Sequence, residues 1–191
     1  MQEATINSFD HFSLEKELQA TLINQKFTIP TDIQVRAIPS ILAGKDIFAQ
    51  AKTGSGKTGA FAIPIINNII TKKLKNNNSK GPFYLVLTPT RELTQQIEGV
   101  FQDFGSKINL KTLSIIGGEE YKHQKQKLDD GTDIVIATPG RLIDLYKQQS
   151  LNFNNIHGVV LDEADRLFDM GFRKDIRFIL EKIPTNRQLL M

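Results

Sequence analysis

The sequence predicts an α/β domain, a parallel β-sheet flanked by helices on both faces, and three observations carry that reading. Short apolar runs alternate with amphipathic stretches along the whole chain, the mark of repeated βαβ units. The runs are apolar at successive positions rather than alternate ones, as strands buried on both faces are. One of them, within "GVVLDEADRLFDMGF" (residues 158–172), leads straight into Asp162, Glu163 and Asp165. Carboxylates crowded at the end of a buried strand repel one another and are poorly solvated. Parallel sheets bind ligands beyond the carboxyl ends of their strands, so these acids call for a bound cation.

In chain order the expected strands are Asp46 to Gln50 ("DIFAQ"), Phe83 to Thr88, Thr112 to Ile116, Asp133 to Thr138 and Gly158 to Asp162. A further strand starts at "RQLLM" (187–191), which points to a longer protein of which this chain is one domain. Helical patterns fill the intervals, at Thr31 to Leu42, Lys57 to Ile70, Arg91 to Phe104, Glu120 to Leu128, Arg141 to Gln148 and Arg173 to Ile183. The stretch "KKLKNNNSKGP", Lys72 to Pro82, clusters lysine, asparagine, glycine and proline and reads as a surface loop.

Composition sets the outer bounds. At 191 residues, 40% hydrophobic and 24% charged, the chain has ordinary globular values and room for one core. No apolar run approaches the roughly 20 residues that span a bilayer. The start, "MQEATINSFDHF", has neither part of a signal peptide. Without cysteine there is no disulfide framework and no thiolate metal site. The expectation is a soluble cytoplasmic domain. A net charge of +3 and a pI near 9.0 suit a nucleic-acid partner without requiring one.

The chemistry begins after the first expected strand, at "AKTGSGKTGAF" (51–61). Gly56, Lys57 and Thr58 complete the G-K-T ending of a phosphate loop, with Ala51 at the pattern's first glycine. Gly54 and Gly56 let the backbone turn its N–H groups toward phosphate oxygens. Lys57 reaches the β- and γ-phosphates, Thr58 offers a hydroxyl to Mg²⁺, and the helix from Lys57 adds its positive end. The acids after the later strand now have a purpose. Asp162 lies where P-loop proteins hold the nucleotide's metal, and Glu163 beside it is placed to orient or deprotonate a water.

The acidic run reads D-E-A-D. With "AKTGSGKT", "PTREL" (Pro89 to Leu93), the Gly117-Gly118 pair and "TPGR" (Thr138 to Arg141), the sequence resembles the DEAD-box ATP-dependent RNA helicases, in particular the bacterial RhlE-like branch. The resemblance implies a RecA-like P-loop domain over residues 1–191, with a Q motif at 9–34, and a second, C-terminal RecA-like domain absent from this chain. It implies ATP and Mg²⁺ as cofactors and a monomer without membrane contact. Catalytic roles fall to Lys57, Asp162, Glu163 and Asp165. Nucleotide contacts fall to Phe9, Phe27, Thr31, Gln34, Thr53, Gly54, Ser55, Gly56, Lys57 and Thr58. Gln34 reads the adenine edge, and Thr58 and Asp162 hold the metal, partly through water. Lys26 stands where the family pattern has glycine, so the turn before Phe27 is expected to differ.

The same resemblance gives Pro89, Thr90, Arg91, Gly117, Gly118, Thr138, Pro139, Gly140 and Arg141 to one RNA strand, held by its sugar–phosphate backbone. The residue chemistry agrees. Arginine forks, hydroxyls and helix starts suit phosphate, and none of them reads a base. Gln124 fits either the family pattern or plain helix packing, and Arg166 is placed to pair with Asp169. Thr94 stands at a family alanine with no consequence attached. His11, His123 and His157 show no metal-ligand spacing. A P-loop ATPase that moves protein or DNA is disfavoured by the D-E-A-D run and the Q motif. A non-enzymatic RNA clamp is disfavoured by the complete ATP-site set.

Overall fold

The structure, a computed structural model, describes residues 8–75 and 81–191. After a 3-10 turn at Phe9–His11 come α1 (Lys16–Asn24), α2 (Asp32–Leu42), α3 (Lys57–Lys75), β1 (Tyr84–Leu87), α4 (Arg91–Gly105), β2 (Thr112–Ile115) and α5 (Tyr121–Asp129). The chain continues through β3 (Ile134–Ala137), α6 (Pro139–Lys147), β4 (Gly158–Leu161), α7 (Ala164–Asp169), α8 (Arg173–Lys182) and β5 (Gln188–Leu190). Two compact units emerge, one of residues 1–77 with 100–110, the other of 78–99 with 111–191. The division falls within α4.

The second unit holds a five-stranded, all-parallel sheet with flanking helices, in the order β2-β3-β1-β4-β5. Every residue of β1, β3 and β4 is buried, which explains their unbroken apolar sequence. Leu85, Val135 and Val159 pair across the three central strands, and Leu142, Leu145, Leu167 and Ile179 from the helices complete that core. The strand order sets up the chemistry. Because β1 lies between β3 and β4, and β3 between β1 and β2, the loops that leave these four strands emerge side by side.

The first unit is helical. α2 packs on α3, and Ile38 and Ile41 of α2 and Ile63, Ile66 and Ile69 of α3 are buried. α1 was not expected; it buries only Leu18, Thr21 and Leu22, too few for a clear period, and Glu15 N fastens its start to Asn67 Oδ1 at 2.7 Å. The chain leaves α1 through a Schellman turn, with Lys26 N donating to Ile23 O at 3.0 Å and Phe27 N to Leu22 O at 2.8 Å. The turn forms with lysine at the pattern's glycine position. Lys26 itself takes the left-handed backbone, φ 60°, because the two main-chain bonds fix it there, at a cost of about 1 kcal/mol.

Two other expectations change. The segment Asp46 to Gln50 is not a strand but carries one bridge residue, Ile47. Ile47 and Ala49 are half-buried while Asp46, Phe48 and Gln50 are exposed, so burial alternates as in a strand, but a single bridge does not make a ladder. The expected loop at 72–82 begins later, since α3 runs on through Lys75, and residues 76–80 lie outside the described ones.

Candidate nucleotide and nucleic-acid sites

In the first unit the phosphate loop turns at Gly54 (φ 80°) and Gly56 (φ 92°), and α3 starts at Lys57. Gly56 has a second reason to be glycine: a Cβ there would sit 2.7 Å from Thr31 Oγ1 and 2.8 Å from Gln34 Nε2. Gln34 is fully buried; it accepts from Thr31 N at 2.9 Å and donates to Gly56 O at 3.1 Å. One side chain thus ties the start of α2 to the loop. Phe27 packs between Phe9 and Phe104, at 6.1 and 5.1 Å between ring centroids. The two groups of expected nucleotide residues, Phe9 with Phe27 and Thr31 with Gln34 and Gly56, meet at Gly59, where a Cβ would lie 2.7 Å from Gln34 Nε2 and 3.6 Å from Phe27 Cε1.

The loop's polar atoms test whether a phosphate belongs there. Ser55 Oγ is buried with no hydrogen-bond partner, a state that costs about 1–3 kcal/mol. Lys57 Nζ rests on a carbonyl of its own loop, Ala51 O, at 2.5 Å. Thr53 and Gly54 are exposed, and Thr58 is half-buried in the first turn of α3. The orphaned hydroxyl and the helix start lack an acceptor, and the ammonium beside them has further hydrogens to donate, so a phosphate fits that need.

In the second unit Asp162 follows β4, its N–H bonded to Leu87 O of β1 at 3.0 Å. Glu163 takes left-handed backbone (φ 50°, ψ 51°) and caps α7. Its carboxylate meets Arg166 at 3.2 Å, while Asp165 Oδ1 accepts from Arg166 N at 2.9 Å. The expected Arg166–Asp169 pair is thereby corrected: once α7 starts at Ala164, Glu163 stands one turn before Arg166 and has the longer reach. Among the described residues no group of three or more His, Cys, Asp or Glu is arranged to hold a metal. Mg²⁺ takes one or two protein oxygens and completes its shell with water and phosphate. The hydroxyl of Thr58 and the carboxylate of Asp162 are donors of that kind.

The loops after β1, β2 and β3 share an open cavity of about 600 Å³ in the same unit. Pro89, Thr90 and Arg91 come from the first, Gly117 from the second, and Thr138, Gly140 and Arg141 from the third. Of the expected contacts, Pro139 and Gly118 lie off the wall. Pro139 is buried in the first turn of α6. Gly118, at φ 88°, lies against the Arg91 guanidinium, and a Cβ on it would come within 2.7 Å of Arg91 Nη1. The glycine pair thus seats an arginine.

Several residues of this site carried little or no signal in the sequence. Arg141 is braced on three sides, donating through Nε to Gln124 Oε1 (3.1 Å) and through Nη2 to Glu119 O (3.2 Å), and lying over the Tyr121 ring at 5.5 Å. Gln124 is fully buried, and its amide also holds Ile116 O (3.0 Å) and Glu119 Oε2 (3.1 Å). Gln124 is packed within its helix, as one of the two readings had it, and in addition it orients an arginine. Thr94, given no consequence above, bonds Thr88 Oγ1 at 2.6 Å and Thr90 O at 2.8 Å, pinning the turn that presents Arg91. The cavity wall also includes Glu92, Asp144, Met170 and Phe172.

Comparisons with known proteins show the family of the chain. The family described as DEAD/DEAH box helicase matches residues 31–191. The ATP-dependent RNA helicase DDX42 of Xenopus laevis is 40% identical over 185 residues, covering 97% of this chain and 19% of that protein. The ATP-dependent RNA helicase RhlB of Vibrio parahaemolyticus is 42% identical over 187 residues, covering 97% of this chain and 43% of its own. The crystal structure of a DEAD box protein from Methanococcus jannaschii superposes with a TM-score of 0.88 at 38% identity, over 96% of this chain and 49% of that one. The chain therefore spans between a fifth and a half of these relatives.

Proposed function

The chain belongs to the DEAD/DEAH box helicase family, and we propose that it is the ATP- and RNA-binding N-terminal RecA-like domain of an ATP-dependent RNA helicase. In this reading the phosphate loop holds the nucleotide's phosphates and the groove beyond the strands holds one RNA strand by its backbone. Lys57 leaves Ala51 O for a phosphate oxygen, and Ser55 Oγ gains its missing partner. Gln34 keeps a second amide hydrogen and a second lone pair, the donor and acceptor that an adenine edge matches. Since Gln34 is wholly buried, reading adenine requires its cover to move aside.

Thr58 and Asp162 would hold Mg²⁺, an assignment that rests on the family motifs. When bound, such an ion would supply the positive charge that phosphate transfer needs. Glu163 accepts the proton of the attacking water, which requires it to release Arg166. Arg91 and Arg141 grip phosphates, while Thr90 and Thr138 add hydroxyls and the starts of α4 and α6 add N–H groups. Because none of these groups reads a base, RNA is held without strong sequence preference. The partner for catalysis is a second RecA-like domain of the same protein, which acts as a cytoplasmic monomer.

The orphaned Ser55 hydroxyl within a glycine loop that opens a helix is the observation that carries the reading. ATP turnover by the longer protein, measured with single-stranded RNA and with DNA of the same sequence, tests it. The proposal requires stimulation by RNA. Equal stimulation by DNA, or none by either, contradicts it.

A further inference from the structure

We propose that Met170, supported by Phe172, is a nucleotide contact: an apolar wall of the groove against which a sugar or base of the bound RNA strand rests. The inference builds on the reading of that groove as an RNA site. Single exposed apolar side chains are common on protein surfaces, so it is the place of Met170 on this wall, beside Phe172 and two arginines, that points to a ligand. Met170 is 49% exposed, and it faces the cavity that also takes Arg91 and Arg141.

Its position is held firmly. α7 ends at Asp169, and the chain reverses through Gly171 N to Phe168 O and Phe172 N to Leu167 O, both at 3.1 Å. Leu167 is fully buried and anchors that turn. Met170 is thus an exposed side chain on a fixed support. Its thioether stem is flexible and polarisable, suited to flat surfaces of varied shape.

The wall as a whole selects the class of ligand. Arginines alone would suit any anion. The same wall carries the acceptors Glu92 and Asp144, which would repel a uniformly acidic peptide. A nucleotide combines an anion, hydroxyl and amine donors, and a flat apolar face, and the cavity offers a counterpart to each. Binding of single strands characteristically joins a charged track to apolar platforms for sugars and bases.

The test is fluorescence anisotropy of a labelled single-stranded RNA with the 191-residue chain, titrated at several salt concentrations. Losing the half-exposed Met170 side chain should leave folding intact, so Met170→Ala is informative. It should weaken binding about fivefold, while Met170→Leu should bind as the unmodified chain does. The slope of log affinity against log salt should stay the same in Met170→Ala, because no phosphate contact is lost. Arg141→Ala is the contrast, lowering the slope by about one. Unchanged affinity in Met170→Ala, or a loss accompanied by the slope change of Arg141→Ala, overturns the contact while leaving the groove in place. Failure of the unmodified chain to bind RNA at all overturns the groove reading and the contact together.

Discussion

The phosphate loop of the first unit and the groove of the second both prepare for phosphate, yet they are built on opposite plans. The loop is made by contiguous residues, and its donors within 51–58 are backbone N–H groups, the hydroxyls of Thr53, Ser55 and Thr58 and the ammonium of Lys57. The groove draws on three loops far apart in sequence, which meet because β1, β3 and β2 are neighbours in register. Their side chains are held by polar braces of their own, Thr88 and Thr94 under one loop and Gln124 and Glu119 under another. In both places the cations rest on protein: Lys57 on Ala51 O, Arg141 on Gln124 and Glu119. The contrast teaches that a contiguous site depends on local backbone geometry, whereas a dispersed one depends on the sheet and on buried braces.

The largest expected effect separates binding from chemistry. Glu163→Gln in the longer protein should leave both anion sites intact but slow ATP hydrolysis by about 10²–10⁴-fold. Steady-state turnover beside nucleotide and RNA binding measures this, and an unchanged rate removes Glu163 from the mechanism. Next comes the loop. Lys57→Ala should weaken ATP by about a hundredfold through the loss of charge-assisted bonds, without unfolding, since Nζ bonds only a loop carbonyl. Calorimetry with thermal melting decides, and unaltered binding in a folded variant refutes that role.

The groove should respond more gently and in a different currency. Gln124→Met removes the brace but keeps the bulk, so RNA affinity should fall about tenfold as Arg141 loses its orientation, with ATP affinity untouched. Loss of both would mean that the two sites are not independent. The smallest effect belongs to local backbone. Lys26→Gly should relieve the left-handed strain and raise stability by about 1 kcal/mol, or about 2–4 °C in melting temperature. A lower melting temperature would show that Lys26 contributes something beyond its backbone.

What the sequence made legible follows the same division. The loop and the acid run could be read directly, because short contiguous motifs encode their own geometry. The strands β1, β3 and β4 could be read because burial on both faces leaves them almost uniformly apolar. The braces were hidden, since nothing local links Gln124 to Arg141 or Thr94 to Thr88. α7 was hidden inside the acid run, and without it Arg166 was assigned Asp169 instead of Glu163. Asp46 to Gln50 has the composition of a strand, but pairing depends on a neighbour that composition does not supply. Lys26 is a further case: the residue departs from the pattern, and a left-handed turn forms all the same.

The most direct test of the central claim, that the first unit is an adenine-nucleotide site, is a calorimetric titration of the 191-residue chain with ATP and, in parallel, with GTP, both with Mg²⁺. Gln34 and the loop predict weak but saturable ATP binding, with GTP weaker by at least about tenfold because its base edge presents the opposite pattern of donors and acceptors. Equal affinity for the two nucleotides, or no binding of either, would contradict it.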